Sequence, residues 1–144
     1  MRLRVSGPRA QYGALPFRTF EGRLEILLAT SRETRRWIIP KGWPMRWTSP
    51  HRAAAREAFE EAGIKGEIGR TPIGSYDYEK RLRDGAVVLC RVEVFPLQVA
   101  QERRRWPEYR QRERAWFLPE DAAAAVREPE LAALIRGFAR TALA

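Results

Sequence analysis

The chain has 144 residues, 44% of them apolar, which is enough for the core of one domain of ordinary size. It carries 27 Lys and Arg against 18 Asp and Glu, a net charge of +9, and a basic chain draws anionic partners. No apolar run approaches the roughly 18 residues of a membrane span, and residues 1–8 lack the apolar segment of a signal peptide, so a cytoplasmic location with no membrane partner is expected.

In chain order, residues 12–20 read as an edge strand carrying Arg18. Leu24, Ile26 and Leu28 alternate with Arg23, Glu25 and Leu27, the pattern of a half-buried strand. Trp37-Ile38-Ile39 is a short apolar run that ends in the turn Pro40-Lys41-Gly42. Ser49 is a good N-cap and Pro50 suits the first position of a helix. The alanines that follow favour its propagation, and it is expected over residues 50–62, closed by Gly63 in the left-handed C′ role. Residues 66–70 and 73–79 look like short strands, and 86–99 like the longest, with Val88, Cys90, Val92 and Val94 on one face. Cys90 is the single cysteine and reads as a buried apolar filler in a reducing compartment. Residues 114–118 form a further strand, and Pro119 and Glu120 open a short alanine-rich helix. A last helix over about 128–143 places Leu131, Leu134, Ile135 and Phe138 at i, i+3, i+4 and i+7. A mixed sheet covered on both sides by helices, an α/β/α sandwich over residues 1–144, follows from this order.

The chemistry concentrates in the helix over 50–62. At about 100° per residue, with Glu57 set at 0°, Glu61 falls near 40° and Glu60 near 300°. The three acids share one face, and Phe59, Ala55, Ala58 and Ala62 are expected to pack on the other, with Phe59 as the large anchor. Acids this close repel one another, and a bound cation would turn that repulsion into binding. Carboxylate oxygens suit hard ions such as Mg²⁺ or Mn²⁺, which leave coordination positions to water and substrate phosphates.

The segment from Gly42 to Ile64 resembles the Nudix box, Gly-x5-Glu-x7-Arg-Glu-U-x-Glu-Glu-x-Gly-U, where U is a bulky apolar residue. Gly42, Arg56, Glu57, Glu60, Glu61, Gly63 and Ile64 stand at its fixed positions, while Thr48 replaces the first glutamate and Ala58 is a small version of U. The resemblance implies a Nudix-type α/β/α sandwich and a metal-dependent hydrolase of phosphoanhydride bonds. It implies Glu57, Glu61 and the Gly42 carbonyl as metal ligands, Glu60 as the base for the attacking water and Arg56 as the residue that orients the acids; the roles of Glu57 and Glu60 could be exchanged.

Residues 15–138 also resemble the diphosphoinositol polyphosphate and diadenosine polyphosphate branch of the family. That resemblance places Arg18, Ser31, Arg32, Lys41 and Arg81 around a polyphosphate chain, and Lys41-Gly42-Trp43-Pro44 departs from the branch's glycine run. The densest basic tract, Gln101-Glu102-Arg103-Arg104-Arg105-Trp106, reads first as a solvated loop and second as an anion-capturing one. An RNA 5′ end or a nucleoside triphosphate is the substrate if that tract lines an open groove, and a nucleotide sensor without turnover is the reading that involves no catalysis. Oligomeric state is not legible in these residues.

Overall fold

The computed structural model describes residues 7–142. Its elements are β1 (Arg9–Phe20), β2 (Arg23–Thr30), β3 (Trp37–Ile38), β4 (Lys41–Gly42), α1 (Pro50–Ala62), β5 (Ile64–Ile68), β6 (Gly74–Arg81), β7 (Val87–Glu102), β8 (Arg114–Phe117), α2 (Pro119–Ala125) and α3 (Pro129–Ala142). The expectations about the amino-terminal segment and the last residue of α3 fall partly outside the described residues. All eight strands belong to one sheet. The only parallel ladder among the described strands joins β1 to β7, from Arg9 opposite Cys90 to Phe17 opposite Gln98. The others are antiparallel, so the sheet is mixed, as expected.

β1 is not the edge strand that its sequence suggests. It pairs with β7 on one side and with β2 and β4 on the other. β2 is not half-buried either: from Ile26 to Ala29 every side chain is fully buried. Ile26 and Leu28 join Leu15, Val92 and Val94 beneath α2 and α3. Leu27 and Ala29 join Ala14, Phe95 and Leu97 beneath α1. Strand residues alternate faces, and with helices on both faces each alternate finds a core, so period-2 patterning disappears. Each fully buried Leu or Ile contributes about 1.5–3 kcal/mol of transfer free energy, and the two cores clamp the sheet from both sides.

α1 has the expected bounds. Pro50 opens it, and the Ser49 carbonyl accepts from the Ala53 N–H at 2.9 Å, although the Ser49 hydroxyl makes no capping bond. Gly63 closes it at φ 68°, its N–H donating to the Phe59 carbonyl at 2.9 Å. The packing face differs from expectation. Ala54, Ala58 and Ala62 lie against the sheet together with Glu61, while Phe59 points outward and is only half-buried. Alanines let the helix sit close to the sheet, and that closeness carries an acid down among them.

Candidate active site

The site forms where the short strand β4 meets α1. β4 pairs with β1, Tyr12 opposite Gly42 and Gly13 opposite Lys41, and this brings the Lys41-Gly42 backbone against the acids of α1. A Cβ at Gly42 would land on the Glu57 carboxylate, so the position admits hydrogen and little else. The Lys41 N–H donates to Glu61 Oε1 at 3.3 Å, and the Arg112 guanidinium lies 3.6 Å from Glu61 Oε2.

Burial and crowding shape the charges here. The Glu57 carboxyl is pushed up to about 8, first by burial and then by Glu61 and Glu60, because both desolvation and like charges disfavour its ionised form. Glu61 is only 7% exposed. Burial raises it as well, against the opposing pull of Arg112 and Lys41. Burial pushes the Lys41 amine down to about 8, with Glu61 acting to hold it up. Its Nζ lies 4.9 Å from the centre of the Tyr78 ring, whose hydroxyl donates to Gln11 Oε1 at 2.7 Å.

The three box acids do not share one face. Glu57 and Glu61 look onto a groove of about 830 Å³ together with Gly42. Glu60 sits at the rim of α1, where Arg56 Nε donates to its Oε2 at 3.1 Å, and this pair lines a smaller cavity of about 560 Å³ on the outer flank. The i,i+4 reading of Arg56 and Glu60 therefore holds, and the acids expected on one face divide between two openings. Among the described residues no group of three His, Cys, Asp or Glu side chains is placed to hold a metal ion. The residues present still fit a hard divalent cation: two adjacent carboxylates that burial leaves under repulsion, beside a glycine where no side chain could intrude. Such an open donor set leaves positions for water and phosphate.

Of the residues expected around a polyphosphate, Ser31, Arg32, Lys41 and Arg81 line the groove. The Ser31 hydroxyl is committed to its own turn, 2.6 Å from the Thr34 hydroxyl and accepting the Arg36 N–H at 3.2 Å. Arg18 does not line the groove. It bonds Glu25 at 2.8 Å and Glu102 at 3.2 Å, with its guanidinium 4.0 Å from the Trp116 ring. The reason is strand geometry: Arg18 lies five residues along β1 from Gly13, roughly 17 Å at about 3.3 Å per residue.

Several groove residues escaped the sequence reading. Lys80 had a signal, since period 2 puts Tyr76, Tyr78 and Lys80 on one face of β6. Arg36 and Arg127 also line the groove, Arg36 paired with Glu128 at 2.9 Å. Glu108 and Arg112 had no signal at all. They lie about fifty residues beyond the box, and only the fold brings them to it. Arg103, Arg104 and Arg105 are exposed and lie outside the groove.

The model of the NUDIX domain matches residues 7–138, and the chain belongs to the Nudix hydrolase family. Among its relatives, the mitochondrial Nudix hydrolase 12 of Arabidopsis thaliana is 33% identical over 106 residues, 72% of this chain and 52% of that protein. The chain thus spans about half the length of that relative. Diphosphoinositol polyphosphate phosphohydrolase 3-beta of Bos taurus is 33% identical over 118 residues, covering 81% of this chain and 68% of that one. In three dimensions, an Ap4A hydrolase binary complex from C. elegans superposes with a TM-score of 0.70 at 22% identity, over 94% of this chain and 98% of the other, a likeness of fold.

Proposed function

We propose that the chain is a divalent-metal-dependent hydrolase of phosphoanhydride bonds in small, densely charged polyphosphates of the dinucleoside or diphosphoinositol kind. The observation that carries this reading is the groove itself. Glu57, Glu61 and Gly42 form one part of its wall, and over the rest seven Lys and Arg side chains, among them Arg32, Lys41, Lys80 and Arg81, outnumber the four glutamates Glu33, Glu79, Glu108 and Glu128. Two crowded carboxylates suit a cation, and a surplus of cationic side chains suits a chain of phosphates.

Glu57 and Glu61, joined by the Gly42 carbonyl, would hold Mg²⁺ or Mn²⁺. When bound, the ion supplies Lewis-acid activation of water and offsets charge on the leaving phosphate. Glu60, which Arg56 holds at 3.1 Å on the outer flank, would have to turn into the groove to accept the proton of the attacking water, and Glu57, which already faces the groove, is the alternative base. Lys41, Arg32 and Arg81 bind successive phosphates, the guanidinium groups with directional bonds. The RNA 5′-end reading draws no support from the groove, because Arg103, Arg104 and Arg105 lie outside it.

The test is product analysis with diadenosine polyphosphates, inositol pyrophosphates, nucleoside triphosphates, nucleotide sugars and triphosphorylated RNA, each with Mg²⁺, Mn²⁺ or a chelator. Turnover of the first two classes that the chelator abolishes is expected. Chelator-resistant turnover, or none with any polyphosphate, would overturn the reading.

A further inference from the structure

An α-helix leaves its last four carbonyls without partners inside the helix. α1 is unusual in where it finds them. The Glu60 carbonyl accepts from the Glu108 N–H at 3.1 Å. The Glu61 carbonyl accepts from Trp106 Nε1 at 3.0 Å, and the Ala62 carbonyl from the Arg114 guanidinium at 2.6 Å. Just beyond, the Gly63 carbonyl accepts from the Arg103 N–H at 2.8 Å. Three of the donors, Arg103, Trp106 and Glu108, belong to the segment between β7 and β8, which starts in the tract that reads as a solvated basic loop, and the fourth, Arg114, opens β8. Trp106 and the Arg114 guanidinium stack 4.1 Å apart and fill the space beside Gly63.

The same segment reaches past the backbone to the acids. Arg112, 9% exposed, donates from Nε to Glu108 Oε1 at 2.7 Å and from a terminal nitrogen to the Thr30 carbonyl at 3.0 Å. Its remaining nitrogen faces Glu61 Oε2 at 3.6 Å. One rigid guanidinium therefore spans β2, the segment and α1. Glu61 is met twice from this side, at its carbonyl by the Trp106 hydrogen bond and at its carboxylate by the longer ion pair with Arg112, while the Lys41 N–H donates to the other carboxylate oxygen.

We propose that residues 103–114 form a clasp that fixes the Glu61 carboxylate for metal binding, with Arg112 and Trp106 as positioning residues that act through Glu61. The inference rests on the reading of Glu61 as a metal ligand. An ordinary helix cap would stop at the carbonyls; a buried guanidinium that joins the Glu61 carboxylate to Glu108 is what a cap does not need. Partners that orient a ligand commonly govern metal affinity by tenfold or more. Lysine at position 112 keeps the charge but loses the planar fork, so Arg112→Lys isolates orientation from electrostatics. Trp106→Phe keeps an aromatic ring and removes one donor.

Mn²⁺ binding is measured by electron paramagnetic resonance of the free ion, beside thermal unfolding of the metal-free proteins and steady-state kinetics at saturating Mn²⁺. Arg112→Lys is expected to weaken Mn²⁺ binding by about tenfold to a hundredfold and to lower kcat with little change in substrate KM. Trp106→Phe is expected to move both in the same direction by less. Arg136→Ala, which removes a guanidinium on α3 bonded to Glu120 at 2.9 Å away from the groove, serves as the control and leaves both unchanged. A clasp that served stability alone would lower the unfolding temperature and leave the Mn²⁺ affinity of the folded protein untouched, and that result overturns the proposal. If Arg112→Lys fails to fold, Trp106→Phe decides alone, wild-type affinity and kcat in the folded variant being the overturning result. Absence of Mn²⁺ binding by the wild type would sink the metal reading and the clasp with it, whereas equal binding by wild type and variants sinks only the clasp.

Discussion

Two clusters of charge sit on the α1 side of the sheet, and they are built in opposite ways. In the first, Arg18 bonds Glu25 and Glu102, Glu102 also accepts from Trp116 Nε1 at 3.2 Å, and the guanidinium lies against two aromatic rings. Each acid there has a directional partner and water within reach. In the second, Glu57 crowds Glu61 beside Gly42, and no cation among the described residues pairs with Glu57. A fold that matches every charge in one cluster and crowds two carboxylates together in the other supports the proposal that the second is the working one, since strongly perturbed acids concentrate at functional sites.

The most severe way to break this contrast is to neutralise the acids. Glu57→Gln, Glu60→Gln and Glu61→Gln should each lower turnover by about a hundredfold or more, because each removes a ligand or a base, while circular dichroism shows the fold retained. Near wild-type turnover in both Glu60→Gln and Glu61→Gln would remove the chemistry from this helix.

Next in size is substrate length. Arg32→Ala and Arg81→Ala should raise KM for substrates with four or more phosphates by about tenfold, the loss of one charge-assisted bond. A simple diphosphate, which does not reach both positions, should change less. Arg18→Ala, in the matched cluster, should leave KM unchanged and cost about 1 kcal/mol of stability through its lost ion pairs and ring contact. Equal kinetics for long and short substrates in the two groove variants, at one ionic strength, would defeat the polyphosphate assignment; a length-dependent KM in Arg18→Ala would erase the contrast between the clusters.

Local patterning reached the parts of this molecule that are local. α1 could be read to the residue, from Pro50 at its start to Gly63 at φ 68° past its end, because capping and propensity act over a few residues. Gly42 and the acids stood in one continuous segment. Burial was harder to read: Glu61 lies in the packing face because a run of alanines brings α1 so near the sheet, and Phe59 is displaced outward. Least legible was what long-range pairing decides. Arg18 looked like a phosphate ligand until the direction of β1 carried it away from β4, and Arg112 showed no pattern because its partners Thr30 and Glu61 are distant in sequence and on other elements.

A smaller effect concerns the metal-free protein. The Glu57 carboxyl lies at about 8 in the fold against an ordinary 4.5, so the folded state binds a proton that the unfolded chain has released. A raised carboxyl contributes stability that is complete below the unfolded value and declines as pH rises through the folded one. Metal-free wild type should therefore lose unfolding temperature between about pH 5 and pH 8, and Glu57→Gln, which carries no titrating group there, should lose less. At pH 8 the variant should unfold at a higher temperature than wild type even as it fails to turn over. An identical pH dependence for the two proteins would show that Glu57 is not under the strain described.

The smallest expected effect is at Thr48, where the Nudix box has glutamate. Its hydroxyl donates to the Arg46 carbonyl at 3.1 Å and its N–H to the Met45 carbonyl at 3.2 Å, so the loop that leads into α1 is already braced from within. A glutamate there would gain at most an exposed ion pair, worth about 0–1 kcal/mol, and would give up the hydroxyl bond. Thr48→Glu should accordingly change kcat/KM by less than about tenfold, since 1.4 kcal/mol corresponds to one decade. Steady-state kinetics on a diadenosine polyphosphate and on an inositol pyrophosphate would measure it. A gain of a hundredfold would mean that the natural loop holds Gly42 out of its working position, and the repulsion between Glu57 and Glu61 would then belong to a site built to sense polyphosphates without cleaving them.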